Sequence, residues 1–179
     1  FNYTMLLEGP FERLHTLMGF ENALCAMLTD PDEVGAFFDR LAELKCKELD
    51  ILQKYYHTEA VCFHDDWGTQ KNMFFSPDIW RSLIKPRIKK IAEHCHSLGM
   101  FFDMHSCGKM DQIIAEFPEI GIDSFQGQGI NDIVGAMKKT GHSLSYNITP
   151  KYQDLEAAAA AGSLTEEEVR SRIRDRKST

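Results

Sequence analysis

The stretch Phe101-Phe-Asp-Met-His-Ser-Cys-Gly108 decides how this chain reads. Phe101 to Met104 predict a short buried strand. His105 and Cys107 fall where it ends, and Gly108 releases the chain toward a helix. Strand side chains alternate faces, so His105 and Cys107 point the same way. Imidazole nitrogen and thiolate sulfur are both zinc ligands, and a catalytic zinc takes three protein ligands and one open position. The stretch offers two of the three. Its plainer alternative is a buried Cys beside a hydrogen-bonding His.

Upstream, Phe1 to Leu7 predicts a strand broken by Gly9-Pro10. Short helices are expected over Phe11–Leu17 and Glu21–Leu28. Asp30-Pro31-Asp-Glu33 is a helix start, with Asp at the N-cap and Pro at the first helical position. That helix runs to about Tyr56. Val34, Phe37, Phe38, Leu41, Leu49, Leu52 and Tyr56 lie near one face, and Lys45, Lys47, Glu48, Asp50 and Lys54 form a solvated face. Ala60-Val-Cys-Phe63 is a strand ending in His64-Asp-Asp-Trp-Gly68. Ser76-Pro77 opens the next helix, whose inner stripe is Trp80, Ile84, Ile88, Ile91 and Cys95. Pro86 inside it predicts a kink near Lys85.

Downstream of the central strand, a helix is expected over Met110–Phe117, a strand over Ile122–Phe125, a helix over Ile130–Thr140 and a strand over His142–Asn147. After Pro150 the pattern is lost, and residues 151–179 form an irregular and helical tail. Within it, Thr165-Glu-Glu-Glu168 is a capping box. The strand–helix alternation indicates an α/β fold, a parallel sheet with helices packed outside. A flavodoxin-like sheet and a (β/α)8 TIM-type barrel both fit. A complete barrel needs about 200–250 residues, so a barrel is present only in part, as five strand–helix units.

The chain has 179 residues, 43% of them hydrophobic, which suits one domain. Its 20 basic and 27 acidic residues leave a net charge of -7, which argues against a nucleic-acid surface. No apolar run approaches the roughly 20 residues of a membrane span. Five cysteines, an odd number without paired spacing, suggest a reduced, cytoplasmic setting. Phe1 in place of Met implies processing or a longer parent.

Polar residues gather at the predicted strand ends, where chemistry sits in such folds. Asp65, Asp66, Trp67 and Gln70 follow the second strand, His105 and Cys107 the third, Gln126 and Gln128 the fourth, and Asn147 ends the fifth. Asp65 and Asp66 are the candidate catalytic pair; one of two adjacent carboxylates is expected to be solvated or to have a raised pKa. Trp67, Gln70, Gln126 and Asn147 are candidate substrate contacts. Asp65 and Asp66 as loop caps, and Gln126 and Asn147 as turn residues, are the alternatives. His94 and His96 diverge by about 100° each way from Cys95 on a helix and are read as surface residues. His64 is read as core or wall.

Phe11-Glu-Arg-Leu14, Gly19-Phe-Glu-Asn22, Asp30-Pro31, Asp65-Asp-Trp-Gly-Thr-Gln70, Ser76-Pro77-Asp-Ile-Trp80, Lys85-Pro86, His105-Ser-Cys-Gly108 and Gly121-Ile-Asp123 together resemble the uroporphyrinogen decarboxylase superfamily. That superfamily includes the methylcobamide:coenzyme M methyltransferases. The resemblance implies a (β/α)8 barrel with its site at the strand carboxyl ends. In the corrinoid methyltransferases H-x-C and a later Cys bind zinc, which activates a thiol. His105 and Cys107 match the first two ligands. No Cys follows Cys107, so the third ligand is missing. The implied function is zinc-dependent methyl transfer from a corrinoid, free or on a corrinoid protein, to a thiol. Metal-free porphyrinogen decarboxylation and a non-catalytic half-barrel are the alternatives. The barrel's last strands and amino-terminal part are also missing, so the chain is expected to be a fragment of a protein about twice as long, or a natural half. A bare half-barrel exposes two sheet edges and predicts self-association or a closing partner.

Overall fold

The computed structural model describes residues 1–147 and 158–175. Five strands alternate with helices: β1 (Tyr3–Leu6), β2 (Ala60–His64), β3 (Phe101–Ser106), β4 (Ser124–Gly127) and β5 (Ser145–Tyr146). All pair in parallel, in the order β1-β2-β3-β4-β5. A flavodoxin-like sheet would reverse direction after its first strand. The unbroken order is that of a TIM-barrel arc, and the chain holds that barrel in part.

Strand alternation sorts the side chains. Val61, Phe63, Phe102, Met104 and Phe125 face the helices and join the core. The other face carries Tyr3, Met5, Cys62, His64, Asp103, His105, Ser124 and Gln126, aligned across strands by register. In this row Asp103 accepts hydrogen bonds from the Tyr3 and Ser124 hydroxyls. Toward its open side the same face leaves Tyr3, Met5 and Phe101 exposed.

Helices α1 (Pro10–Met18), α2 (Phe20–Thr29) and α3 (Pro31–Tyr56) connect β1 to β2. Val34, Phe38, Leu41 and Leu49 of α3 are buried as its stripe requires. Two residues differ from expectation. Tyr56, at the last turn, is exposed. Lys45 is only 3% exposed; its ammonium donates to Leu7 O at 2.8 Å and pairs with Glu48. A long side chain can bury its stem while its head finds an acceptor that a sequence does not reveal.

Pro86 acts as expected. The turn ahead of it, Trp80–Ile84, is a π-helix between α4 (Pro77–Ile79) and α5 (Lys85–Ser97). Proline has no N–H for the carbonyl four residues back. Arg87 takes that role: its guanidinium donates to Ser82 O at 3.1 Å and Leu83 O at 3.2 Å. It also reaches Gly35 O and Asp39, tying α5 to α3.

The helix expected over Met110–Phe117 is instead two 3-10 turns, Ile114–Glu116 and Pro118–Ile120. Buried Ile114, Phe117 and Ile120 recur every third residue, the period of a 3-10 ridge. Strand β4 starts two residues later than expected, after buried Ile122. Helix α6 (Ile133–Thr140) is capped by the Asp132 carboxylate on Gly135 N. In the tail, Thr165 and Glu168 exchange the two hydrogen bonds of a capping box at the start of α7 (Glu166–Asp175). The rest of the expected tail, at 151–157 and 176–179, lies outside the described residues. Among the described residues no helix is long and apolar enough to cross a membrane.

Candidate functional site

Strand β3 extends through Ser106, so His105 is its last inward-facing residue and Cys107 lies just beyond. The two side chains meet: Cys107 Sγ is 3.5 Å from His105 Nε2. On the other side of the ring, His105 Nδ1 lies 3.0 Å from Gln126 Oε1 of β4. An amide oxygen has no proton to give, so Nδ1 is the donor of this pair.

His64 of β2 is paired in register with His105. Their rings stack, with centroids 4.7 Å apart and planes 11° from parallel. His64 Nδ1 lies 2.9 Å from Glu12 Oε2 at the start of α1, so the Glu12 carboxylate orients this ring as Gln126 orients the other. His64 Nε2 lies 3.7 Å from Asp66 Oδ1. Asp66 Oδ1 also accepts from Cys107 N at 2.6 Å. Together His64, Asp66 and His105 place one donor atom each within 4.8 Å of one another. Burial, with Asp66 alongside, pushes the Cys107 thiol up to about 11.

Asp65 faces the opposite way and differs from expectation. It is fully buried and accepts from Glu12 N at 2.8 Å, Phe11 N at 3.2 Å and Trp67 Nε1 at 2.6 Å. It thus satisfies first-turn N–H groups of α1 from a distant strand. Burial pushes its carboxyl up to about 7, against the pull of those hydrogen bonds. Asp65 positions α1, and with it Glu12; it does not line the site. Trp67 is not the accessible contact expected: its indole is fully buried against Trp80 and Phe117. Gln70 is exposed in the loop beyond. Gln126 is in the site. Asn147 is exposed at the end of β5, and its N–H bonds Phe125 O, which sets it beside Gln126.

The loops after β2 and β3 interlock. Lys109 N donates to Thr69 O at 2.8 Å. Gly108 adopts φ 97° and lies so close to Gly68 that a side chain would overlap its backbone. Asn131, absent from the sequence reading, braces this turn by accepting from Met110 N and donating to Gly108 O. Gln128 accepts from Gly108 N. His94 and His96 are surface residues with separate partners, Asp50 and Asp123. A cleft lined by Tyr3, Phe101, Asp103, Ser124 and Ser145 lies at the other end of the strands.

His64, expected as core or wall, and Glu12, not singled out in the sequence, join the His105–Cys107 cluster. Sequence carried a signal for one: His64-x-Asp66 and His105-x-Cys107 repeat the same spacing at adjacent strand ends. Alternation puts His64 on the face of Asp66, opposite Asp65. Glu12 had no such signal, because only the packing of α1 brings it there.

The model of the uroporphyrinogen decarboxylase (URO-D) family matches residues 3–152. The chain belongs to the URO-D family. No curated protein matches the chain. Among solved structures it is similar to a methyltransferase from Methanosarcina mazei, with a TM-score of 0.67 and 17% identity over 80% of this chain. That likeness shows the shared fold. The chain spans 41% of that structure's length.

The zinc implied by the superfamily resemblance fits the donors of this URO-D chain. Ligand bonds of about 2.0–2.1 Å to nitrogen and 2.3 Å to sulfur, at a tetrahedral angle, separate the two donors by about 3.6 Å. The His105–Cys107 separation of 3.5 Å is that bite. Both imidazoles also have the outer hydrogen-bond acceptor that metal-bound histidines require.

Proposed function

We propose that this URO-D protein belongs to the methyl-transferring branch, moving a methyl group from a corrinoid to a thiol with zinc at the strand carboxyl ends. The observation that carries the reading is the 3.5 Å approach of Cys107 Sγ to His105 Nε2. His105 and Cys107 would hold the metal. When bound, zinc stabilises the acceptor as thiolate. The chain's own groups do the rest. Gln126 and Glu12 hold the imidazoles in register, and Asp66, 31% exposed, is placed to take the thiol proton. The thiolate pair forms the sulfur–carbon bond, and the cobalt–carbon bond breaks with its electrons left on cobalt. The methyl donor is a corrinoid, free or carried by a protein.

The whole barrel is needed for that chemistry. Strands β1 and β5 are the unpaired edges of the described sheet, so a second copy of the chain or a further segment closes it in this reading. The test is turnover of methylcobalamin with a thiol, followed by the change in corrinoid absorption, before and after chelation. Chelator-sensitive demethylation is expected. Carbon dioxide release from uroporphyrinogen, indifferent to chelator, would overturn the reading in favour of decarboxylation.

A further inference from the structure

We infer that β2 completes the metal site, with His64 as the third protein ligand and Asp66 in the fourth position until a thiol displaces it. This rests on the proposed reading of His105 and Cys107 as ligands and adds the ligand set that lies within this chain.

Three observations carry it. First, His64, Asp66 and His105 already place one donor each within 4.8 Å. Nitrogen and oxygen donors across a tetrahedral zinc stand about 3.4 Å apart. The His64–Asp66 separation is 3.7 Å, and closing a pair at the 4.8 Å limit of this three-residue group, which does not include Cys107, needs a shift of roughly 1.4 Å. Second, both rings are turned the same way. Each Nδ1 faces an acceptor oxygen, Glu12 Oε2 at 2.9 Å and Gln126 Oε1 at 3.0 Å, which turns His64 Nε2 toward Asp66 and His105 Nε2 toward Cys107. Third, Asp66 is anchored by Cys107 N at 2.6 Å, which fixes its carboxylate beside the Cys107 side chain. His-x-Asp and His-x-Cys at paired strand ends thus supply two donors each.

With the metal bound, a thiol sulfur would take the position of the Asp66 oxygen, and the freed carboxylate would take the thiol proton.

The test is cobalt(II) titration of the metal-depleted chain, read by visible absorption, with zinc content measured in parallel. Wild type is expected to bind one cobalt with tetrahedral bands and a thiolate-to-cobalt band. His64→Ala is expected to weaken binding by more than roughly 100-fold, beyond the effect of losing an outer-shell partner. Glu12→Gln, which leaves the ligands in place, should weaken it by roughly 10- to 100-fold with an unchanged unfolding midpoint. Wild-type affinity and bands in both His64→Ala and Asp66→Asn would overturn the inference and leave the His105–Cys107 reading standing. Cobalt bound through His64 with no thiolate band would uphold the β2 ligands and remove Cys107 from the site. No cobalt bound by wild type would overturn both.

Discussion

Asp65 and Asp66 are neighbours in the chain and face opposite sides of the sheet: Asp65 holds the first turn of α1, and Asp66 holds the Cys107 backbone. Strand alternation separates them. The prediction is a separation of effects. Asp65→Ala leaves buried donors on Phe11, Glu12 and Trp67 unpaired and should lower unfolding stability by about 3 kcal/mol or more. Asp66→Ala should stay within about 1 kcal/mol of wild type. Urea unfolding of the two variants measures this, and equal losses would contradict the assignment.

Gly108 is expected to be irreplaceable for two reasons at once. It has a positive φ of 97° and it packs against the Gly68 backbone. Gly99 has a positive φ of 76° but open space around it. Gly99→Ala should therefore cost about 1 kcal/mol from backbone strain alone. Gly108→Ala should cost at least about 2 kcal/mol, because overlap adds to strain. Thermal melts of the two variants give the comparison.

Thiol reactivity should follow burial. Cys25 is exposed, whereas Cys62 and Cys95 are buried. Burial pushes Cys95 up to about 12 and also raises Cys62. Alkylation of the native protein at about pH 8 should modify Cys25 first and spare Cys62 and Cys95. Peptide mass mapping after a short pulse reads the order. Early modification of Cys95 would mean that the α5–β3 packing opens readily.

Acid should weaken the α5 contact. Burial raises the Glu116 carboxyl, but hydrogen bonds from Arg81 and Lys85 outweigh it, and the net shift is downward. Lys85 moves upward through the same pairing, with Glu116 and Glu119 overcoming its burial. A carboxyl lowered in the folded state stabilises above its unfolded value and loses that contribution as pH falls through the folded one. The loss should therefore set in below pH 4.5, the ordinary value for this carboxyl. Glu116→Gln should flatten the fall in unfolding midpoint over that acidic range. An unchanged slope would show that other carboxylates dominate.

Sequence by itself determined the strand–helix alternation, the strand-end clustering and the His105–Cys107 pair. These follow from local rules: period-two alternation, helix starts at Asp30-Pro31 and Ser76-Pro77, and a proline that interrupts its own ladder. It left barrel and flavodoxin-like orders open, because strand order depends on pairings between distant segments. Only the tertiary structure decided that order, and with it the register that stacks His64 on His105. Only the structure could turn Asp65 into a brace for α1 and bring Glu12 to His64. Both depend on where a helix from one crossover packs against the end of another strand, a distance in space that no spacing along the chain records. Lys45 and Trp67 show the same limit: their burial was set by partners that lie far away in sequence, Leu7 for one and Trp80 and Phe117 for the other.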